Sequence, residues 1–269
     1  MSTIAIADHA LLSDCHSAAL VTRSGSVDWL CFPRFDSPSV LGRLLDDDAG
    51  HWSIAPAAPF ESSRRYVDRS MVLETTFVTS SGRLVLTDAL AFGADGHEHQ
   101  LGKGSPHLLI RRVECTSGEV DLEVEYAPRA EYGLVTPLLS NVEGGVTARG
   151  GAEWLVLTSP LALTVHEGTG HARLHLSAGQ ARTFALHRST LDEVPARVWT
   201  PDELTERLQD TIAKWQAWSQ FHQTCDGPWA DLVWCSGRVL QALHYQPSGA
   251  TRQVLSRSTS AAPSSTRPT

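Results

Sequence analysis

Residues Ile6–Leu45 read IADHALLSDCHSAALVTRSGSVDWLCFPRFDSPSVLGRLL, and the rest of the chain is organised around them. Two apolar runs, Ser17–Val21 and Val27–Phe32, flank Thr22-Arg23-Ser24-Gly25-Ser26. A short polar linker with a glycine free to take positive φ predicts a β-hairpin. Pro33 ends the second strand, since proline offers no amide donor to a ladder. Arg34-Phe35-Asp36-Ser37-Pro38 then packs a cation, an aromatic ring and a carboxylate into one loop. Val40, Leu41, Leu44 and Leu45 follow at spacings of three and four, which predicts a short helix.

Working outward, the strand signal continues. His51–Ile54, Met71–Val78 and Arg83–Leu90 are apolar runs, the last two separated by Ser80-Ser81-Gly82. Leu108–Glu114 and Val120–Tyr126 flank Thr116-Ser117-Gly118-Glu119. In the second of these, Val120, Leu122, Val124 and Tyr126 alternate with Asp121, Glu123 and Glu125, so one face is core and the other is wet. Val142–Ala148, Trp154–Thr158, Leu161–His166, Ala172–Leu176 and Thr183–Arg188 keep the spacing. A dozen or more short strands punctuated by Gly, Ser and Pro predict a mainly β fold, a large antiparallel β-sandwich of two packed sheets. It spans residues 1–193.

At Val194 the period changes. Thr200-Pro201-Asp202-Glu203 supplies a capping threonine, proline at the first helical position and glutamate at the third. Leu204, Leu208, Ile212 and Trp215, with Trp218 and Phe221 near the same stripe, then give one apolar face. Asp226-Gly227-Pro228 starts a second helix that places Trp229, Leu232, Val233, Val239, Leu240 and Leu243 on a common side and stops before Pro247-Ser248-Gly249. These two α-helices occupy residues 194–250. Residues 251–269, TRQVLSRSTSAAPSSTRPT, carry no acid and too little apolar content for a core, so a disordered tail is expected.

Ala7–Cys15, Ala18–Val21, Gly25–Cys31 and Pro33–Pro38 together resemble the opening of bacterial family 15 glycoside hydrolases, the glucoamylase and trehalase group. Trp229, Arg238, Leu240, Leu243, Tyr245, Pro247, Ser248, Gly249 and Ala250 are similar to the family's first catalytic-domain helix and its exit. The resemblance covers about residues 6–250. It implies a sandwich, a linker helix, and the first helix of an (α/α)6 barrel whose remainder is absent here. The family's Thr-Thr-Ser-Leu-Pro-Glu and Asn-Trp-Asp-Tyr-Arg stretches do not follow Ala250, and its two catalytic glutamates would lie in the missing part. An out-of-frame tail after Ala250 is one expectation from that break.

Composition narrows the alternatives. The 269 residues are 42% hydrophobic and 19% charged, ordinary for a globular protein, with a formal charge of −8. No Lys/Arg block exceeds two residues, which disfavours nucleic acid as a partner. Neither an 18-residue apolar run nor a basic-then-apolar start is present, so no membrane span or signal peptide is expected and the chain is placed in the cytoplasm. Cys15, Cys31, Cys115, Cys225 and Cys235 are scattered and odd in number, which fits reduced thiols. No cofactor motif stands out, as Gly102-Lys103-Gly104-Ser105 lacks the first glycine of a phosphate loop. His97-Glu98-His99 with His107 is a thin case for a metal, and none is expected.

The sequence assigns no catalytic residue. Inverting glycoside hydrolysis needs two carboxyls roughly 6.5–9.5 Å apart, one with a raised pKa. Asp28, Asp36, Asp46, Asp47, Asp48, Glu123 and Glu125 are all expected in solvated turn, loop or strand positions. The preferred function is therefore the non-catalytic N-terminal domain of a hydrolase acting on α-glucosidic bonds in maltooligosaccharide or trehalose. Its sandwich would form a substrate rim from Trp29, Arg34, Phe35 and Asp36. Two alternatives remain open: a free-standing carbohydrate-binding module, and an assembly role in which the 229–245 helix mediates self-association. Six large apolar side chains on that helix would each contribute about 1.5–3 kcal/mol on burial.

Overall fold

The computed structural model describes residues 4–96, 100–150, 153–190 and 197–251. The His97-Glu98-His99 motif and residues 252–269 of the tail lie outside them. Fifteen antiparallel strands form one hydrogen-bonded network, and two helices follow.

The opening hairpin is present. Strand β1 (Ala10–Ser13) pairs with β2 (Ala18–Val21), which pairs with β3 (Ser26–Cys31). Gly25 supplies the positive φ, and a Cβ there would lie 2.5 Å from the Ile54 carbonyl oxygen. The helix expected at Val40–Leu45 does not form. Ser39–Leu41 is instead strand β4, paired with β3 through Leu30 and Leu41. The spacing misled because Val40 and Leu41 are buried while Leu45 is 59% exposed, so no helical face is shared.

Strands β5 (His51–Pro56), β6 (Glu61–Tyr66), β7 (Leu73–Val78) and β8 (Gly82–Leu90) come next. β6 was not expected: its sequence ESSRRY has no apolar alternation, and it pairs only with β7. The two strands expected around Thr116–Glu119 are one continuous 20-residue strand, β9 (Leu108–Ala127). Gly118 takes φ +67°, and the pairing with β8 slips one residue between Arg83 and Leu84. A bulge thus absorbs the residues that resemble a turn.

The remaining strands are β10 (Leu138–Val142), β11 (Gly145–Gly150), β12 (Glu153–Thr158), β13 (Thr164–His166), β14 (Thr169–Ser177) and β15 (Ala181–Thr190). Val142–Ala148, expected as one strand, is divided between β10 and β11 by the turn at Glu143-Gly144. The N-terminal half of β9 pairs with β8 and β15, and its C-terminal half with β5 and β14. The two expected sheets are therefore joined through β9. Side chains from both, such as Val27, Trp52 and Ile54 from one and Phe77, Leu86 and Phe184 from the other, fill a single core.

Helix α1 (Pro201–His222) starts with the expected capping box: Thr200 Oγ1 accepts from the Glu203 amide, and the Glu203 carboxylate accepts from the Thr200 amide. Leu204, Leu208, Trp215 and Trp218 form a second core with Met71, Ala89, Phe92 and Ile110 on the outer face of the sandwich. Helix α2 (Ala230–Ala242) differs from expectation. Trp229, Leu232, Val233 and Leu240 are exposed, whereas Val239 and Ala242 face the core. Chain reversal after α2 forms the small ladder β16 (His244–Tyr245) and β17 (Ala250–Thr251). No described helix is long and apolar enough to cross a membrane.

Candidate functional site

The loop from Pro33 to Pro38 leaves β3 at its C-terminal end. Ser37 N donates to the Arg34 carbonyl and Arg34 N to Ser37 Oγ, at 3.1 and 3.2 Å, closing a tight turn. Arg34 Nε and a terminal nitrogen donate to the two Asp36 oxygens at 2.9 and 3.1 Å, a planar fork that stays in solvent. Phe35 points the other way and is buried, its carbonyl accepting from the Cys31 thiol. The Arg34 guanidinium carbon lies 5.0 Å from the Tyr245 ring centroid, and Phe35 meets the same ring edge-on at 6.3 Å. With Ser248 and Thr251 these side chains line a groove of about 320 Å³.

Three of the four rim candidates thus come together, joined by Tyr245 from far along the chain. Trp29 does not line this groove; its half-buried ring lies 6.3 Å from Tyr132.

Residues 13–17 seat Tyr245. Ser13 Oγ donates to the Ala242 carbonyl at 2.6 Å, and Gln246 N donates to the Cys15 carbonyl at 3.0 Å. The buried Asp14 carboxylate accepts from the amides of His16 and Ser17 and from the Ser105 hydroxyl. His16 Nε2 donates to the Gly102 carbonyl at 2.7 Å, leaving its ring edge-on to Tyr245 at 5.6 Å. Gly102 has to be glycine: at φ +90° a Cβ would sit 2.6 Å from that of Cys15. The Cys15 thiol is fully buried and its pKa is pushed up by that burial, so it is inert at neutral pH. Sequence reasoning missed this seat. A carboxylate two and three residues ahead of the amides it accepts from is the Asx-turn signal that would have found it.

Asp28, expected to be solvated, is buried at 3% exposure. It accepts from Ser26 Oγ and lies 3.6 Å from His9 Nε2. Burial opposes its ionised form, but the His9 and Ser26 contacts prevail and hold its pKa below the usual carboxylate range.

His51 shows the opposite balance. Burial, then the charge of Arg43, push its pKa down to about 3. Its Nε2 accepts from Arg43 at 2.6 Å, which requires a neutral ring, so the nearby Glu125 oxygen at 3.3 Å is not an ion-pair partner. Unfolded histidine takes up a proton below about pH 6.5 while this one resists. The unfolded state binds more protons through that window, so His51 stabilises the fold above pH 6.5, and this is lost as pH falls towards 3. We expect its contribution to drop by on the order of 2–3 kcal/mol between pH 7 and pH 4. His9, whose pKa is raised by Asp28, acts in the opposite sense, favouring the fold at lower pH. Urea unfolding of His51→Gln, which keeps an acceptor for Arg43, isolates the effect. The variant should lose less stability than the parent across that range, and parallel curves would refute the assignment.

Two other grooves are walled by committed charges. Between α1 and the sandwich, about 360 Å³ is lined in part by Glu203, Arg207 and Asp210. Glu203 is held by Thr200 and Arg197, which keep its pKa low, and Asp210 lies 3.0 Å from Lys214. On the outward face of β5, β9 and β14, about 550 Å³ runs past Glu123 and Arg173, themselves ion-paired. Among the described residues no group of three or more His, Cys, Asp or Glu side chains is placed to hold a metal.

A family profile described as "Trehalase-like, N-terminal" matches residues 1–186. The chain belongs to that family. Its trehalase-like N-terminal domain is accompanied by similarity to longer proteins. Trehalase of Mycobacterium tuberculosis is 33% identical across 97% of this chain and 40% of its own length. Trehalase of Mycolicibacterium smegmatis is 33% identical across 91% of this chain and 39% of its own. Trehalase 1 of Sulfolobus acidocaldarius is 37% identical over 48% of this chain and 20% of its own. The chain spans about 40% of the length of the mycobacterial relatives it matches.

Proposed function

We propose that this trehalase-like domain is the non-catalytic N-terminal part of a glycoside hydrolase acting on α-glucosidic bonds, in trehalose or maltooligosaccharide, and that the chain alone does not turn sugar over. The family match over residues 1–186, continued as similarity to trehalases, carries the reading. The carboxyls agree with it. Hydrolysis needs a general acid with a raised pKa within reach of the glycosidic oxygen. Burial raises the pKa of Asp88, yet that group is sealed at zero exposure against Arg111.

The outward apolar face of α2, with Trp229 at 69% and Leu232 at 65% exposure, fits cover by further hydrolase polypeptide. The same face favours a second reading, self-association through residues 229–245. All five cysteines are free thiols, which supports a reducing, cytoplasmic setting.

The test has two arms. Purified chain incubated with trehalose or maltotetraose should release no glucose above the blank, and sustained turnover would overturn the non-catalytic role. Grafting the chain in place of the matching N-terminal portion of the M. smegmatis trehalase should give a hybrid that hydrolyses trehalose. A soluble, folded hybrid inactive on both sugars would overturn the hydrolase context.

A further inference from the structure

We propose that Arg34, Asp36 and Tyr245 form a subsite for one neutral, unphosphorylated pyranose unit, gripped by a vicinal diol. The inference deepens the hydrolase reading and rests on it for the choice of a glucosyl unit. Its warrant is the geometry of the groove.

The Arg34–Asp36 pair is solvent-facing, at 52% and 64% side-chain exposure. An exposed pair of this kind contributes little to a fold, so structural bracing alone is a weak reason for it. What the bidentate fork does is hold a guanidinium and a carboxylate in one plane, side by side. Arg34 carries five N–H donors and gives two of them to Asp36. The fork therefore offers a remaining donor edge adjacent to carboxylate lone pairs. Gauche hydroxyls on neighbouring ring carbons sit at hydrogen-bond separation, and each both donates and accepts. One can accept from Arg34 while its neighbour donates to Asp36. Charge-assisted hydrogen bonds of this type are roughly twice as strong as neutral ones.

The aromatic part completes the site. Tyr245 lies beneath the guanidinium at 5.0 Å, and Phe35 supports the ring from the side. Small-molecule sites combine apolar and aromatic walls with a few placed polar groups, and about 320 Å³ is at the small end of their range, sized for one sugar ring. The floor is fixed in advance. Tyr245 is held by its β17 partner Ala250, by the edge of His16 and by the neighbouring Gln246–Cys15 hydrogen bond. Preorganisation of this kind lowers the entropy lost on binding.

Charge decides the ligand class. A lone exposed arginine would favour phosphate or carboxylate, but Asp36 neutralises Arg34 and leaves an anion no net attraction. A neutral polyol needs none.

Saturation-transfer difference NMR on the full chain is the experiment. Trehalose and methyl α-glucoside at about 10 mM, suited to weak binding, should show transfer to their ring protons. Tetrahydropyran-2-methanol, which keeps the ring and lacks the diols, should show none, and glucose 6-phosphate should bind no better than methyl α-glucoside. Arg34→Lys keeps the charge and loses the fork, and Asp36→Ala loses the acceptor; each should cut the transfer at least about fivefold. Both positions are exposed, and unchanged far-UV circular dichroism would confirm folding. Absent transfer from the parent chain, transfer unchanged in both variants, equal transfer to tetrahydropyran-2-methanol, or preference for the phosphate would each overturn the subsite. Failure here beside an active hybrid trehalase removes the subsite alone. An inactive hybrid beside intact, Arg34-dependent sugar binding removes the hydrolase reading instead.

Discussion

Replacing Arg111 with methionine should destabilise the fold by about 3–5 kcal/mol, a large share of the 5–15 kcal/mol that holds a typical domain together. Arg111 and Asp88 are both at zero exposure inside the sandwich, directly opposite each other on β9 and β8. Nε donates to Asp88 Oδ1 at 2.8 Å, while the terminal nitrogens donate to the carbonyls of Trp52 and Gly25 at 2.7 Å each. The guanidinium carbon also lies 4.9 Å from the Trp52 ring centroid. Methionine matches the length and supplies none of the donors, so it strands the carboxylate and takes the guanidinium away from two carbonyls, of which Gly25 keeps only the Ile54 amide at 3.2 Å. Burial already raises the Asp88 pKa against the pull of Arg111, and without Arg111 the group takes up a proton on folding. The double variant Arg111→Met, Asp88→Leu should recover part of the loss, because it removes the stranded charge. Recovery stays partial, since the Trp52 and Gly25 carbonyls still lose the guanidinium hydrogen bonds. Urea titration of the parent, both single variants and the double closes the cycle. A loss below about 1 kcal/mol for Arg111→Met would show that the pair does not brace the two sheets.

Trp215→Ala should cost about 3–5 kcal/mol by a different mechanism, an emptied volume between α1 and the sandwich. Trp215 is 1% exposed and packs on Phe92 at 5.3 Å and Trp218 at 6.2 Å between ring centroids. Nearby polar contacts depend on that packing. Lys214 Nζ donates to the carbonyls of Gly93 and Ala94, Thr211 Oγ1 accepts from the Phe92 amide, and Ser219 Oγ donates to the Arg69 carbonyl. Hydrogen exchange in α1 should accelerate together with the fall in melting temperature. Unchanged protection in α1 and an unchanged melting temperature would mean that the helix is held by its polar ends alone.

Much of the architecture was legible where local chemistry agrees with the final fold. Thr200 and Glu203 cap α1 because both partners lie within one turn, and Gly25 marks the hairpin because its turn takes the positive φ that glycine allows. The failures have physical reasons. Thr116–Glu119 has turn composition, but a bulge at Thr116, between the Arg83–Ser117 and Leu84–Cys115 pairs, keeps β9 running. Glu61–Tyr66 carries no apolar period because it lies at an edge. In α2 most of the stripe that should be buried faces outward, with Trp229, Leu232, Val233 and Leu240 exposed, while Val239 and Ala242 reach the core.

The site divides in the same way. Arg34, Phe35 and Asp36 are neighbours in sequence, so their concentration could be read directly. Tyr245 joins them only through tertiary contacts of residues 13–17 with the end of α2, which no local pattern encodes. Trp29, grouped with them by proximity in sequence, is carried away by β3 to face Tyr132.

The sharing of β9 between both sheets bears on how the chain reaches this state. Arg111 meets carbonyls 59 and 86 residues earlier in the chain, and the same strand pairs with β14 and β15 well after it. Such distant partners must be brought together before their contacts repay the lost chain entropy. Neither sheet can be completed without the other, because the strand that finishes one is already committed to the second. The sandwich therefore closes as one late cooperative event, and a nascent chain that has not yet made β14 and β15 has β5 and β8 along one edge of β9 and leaves the other edge open along its length.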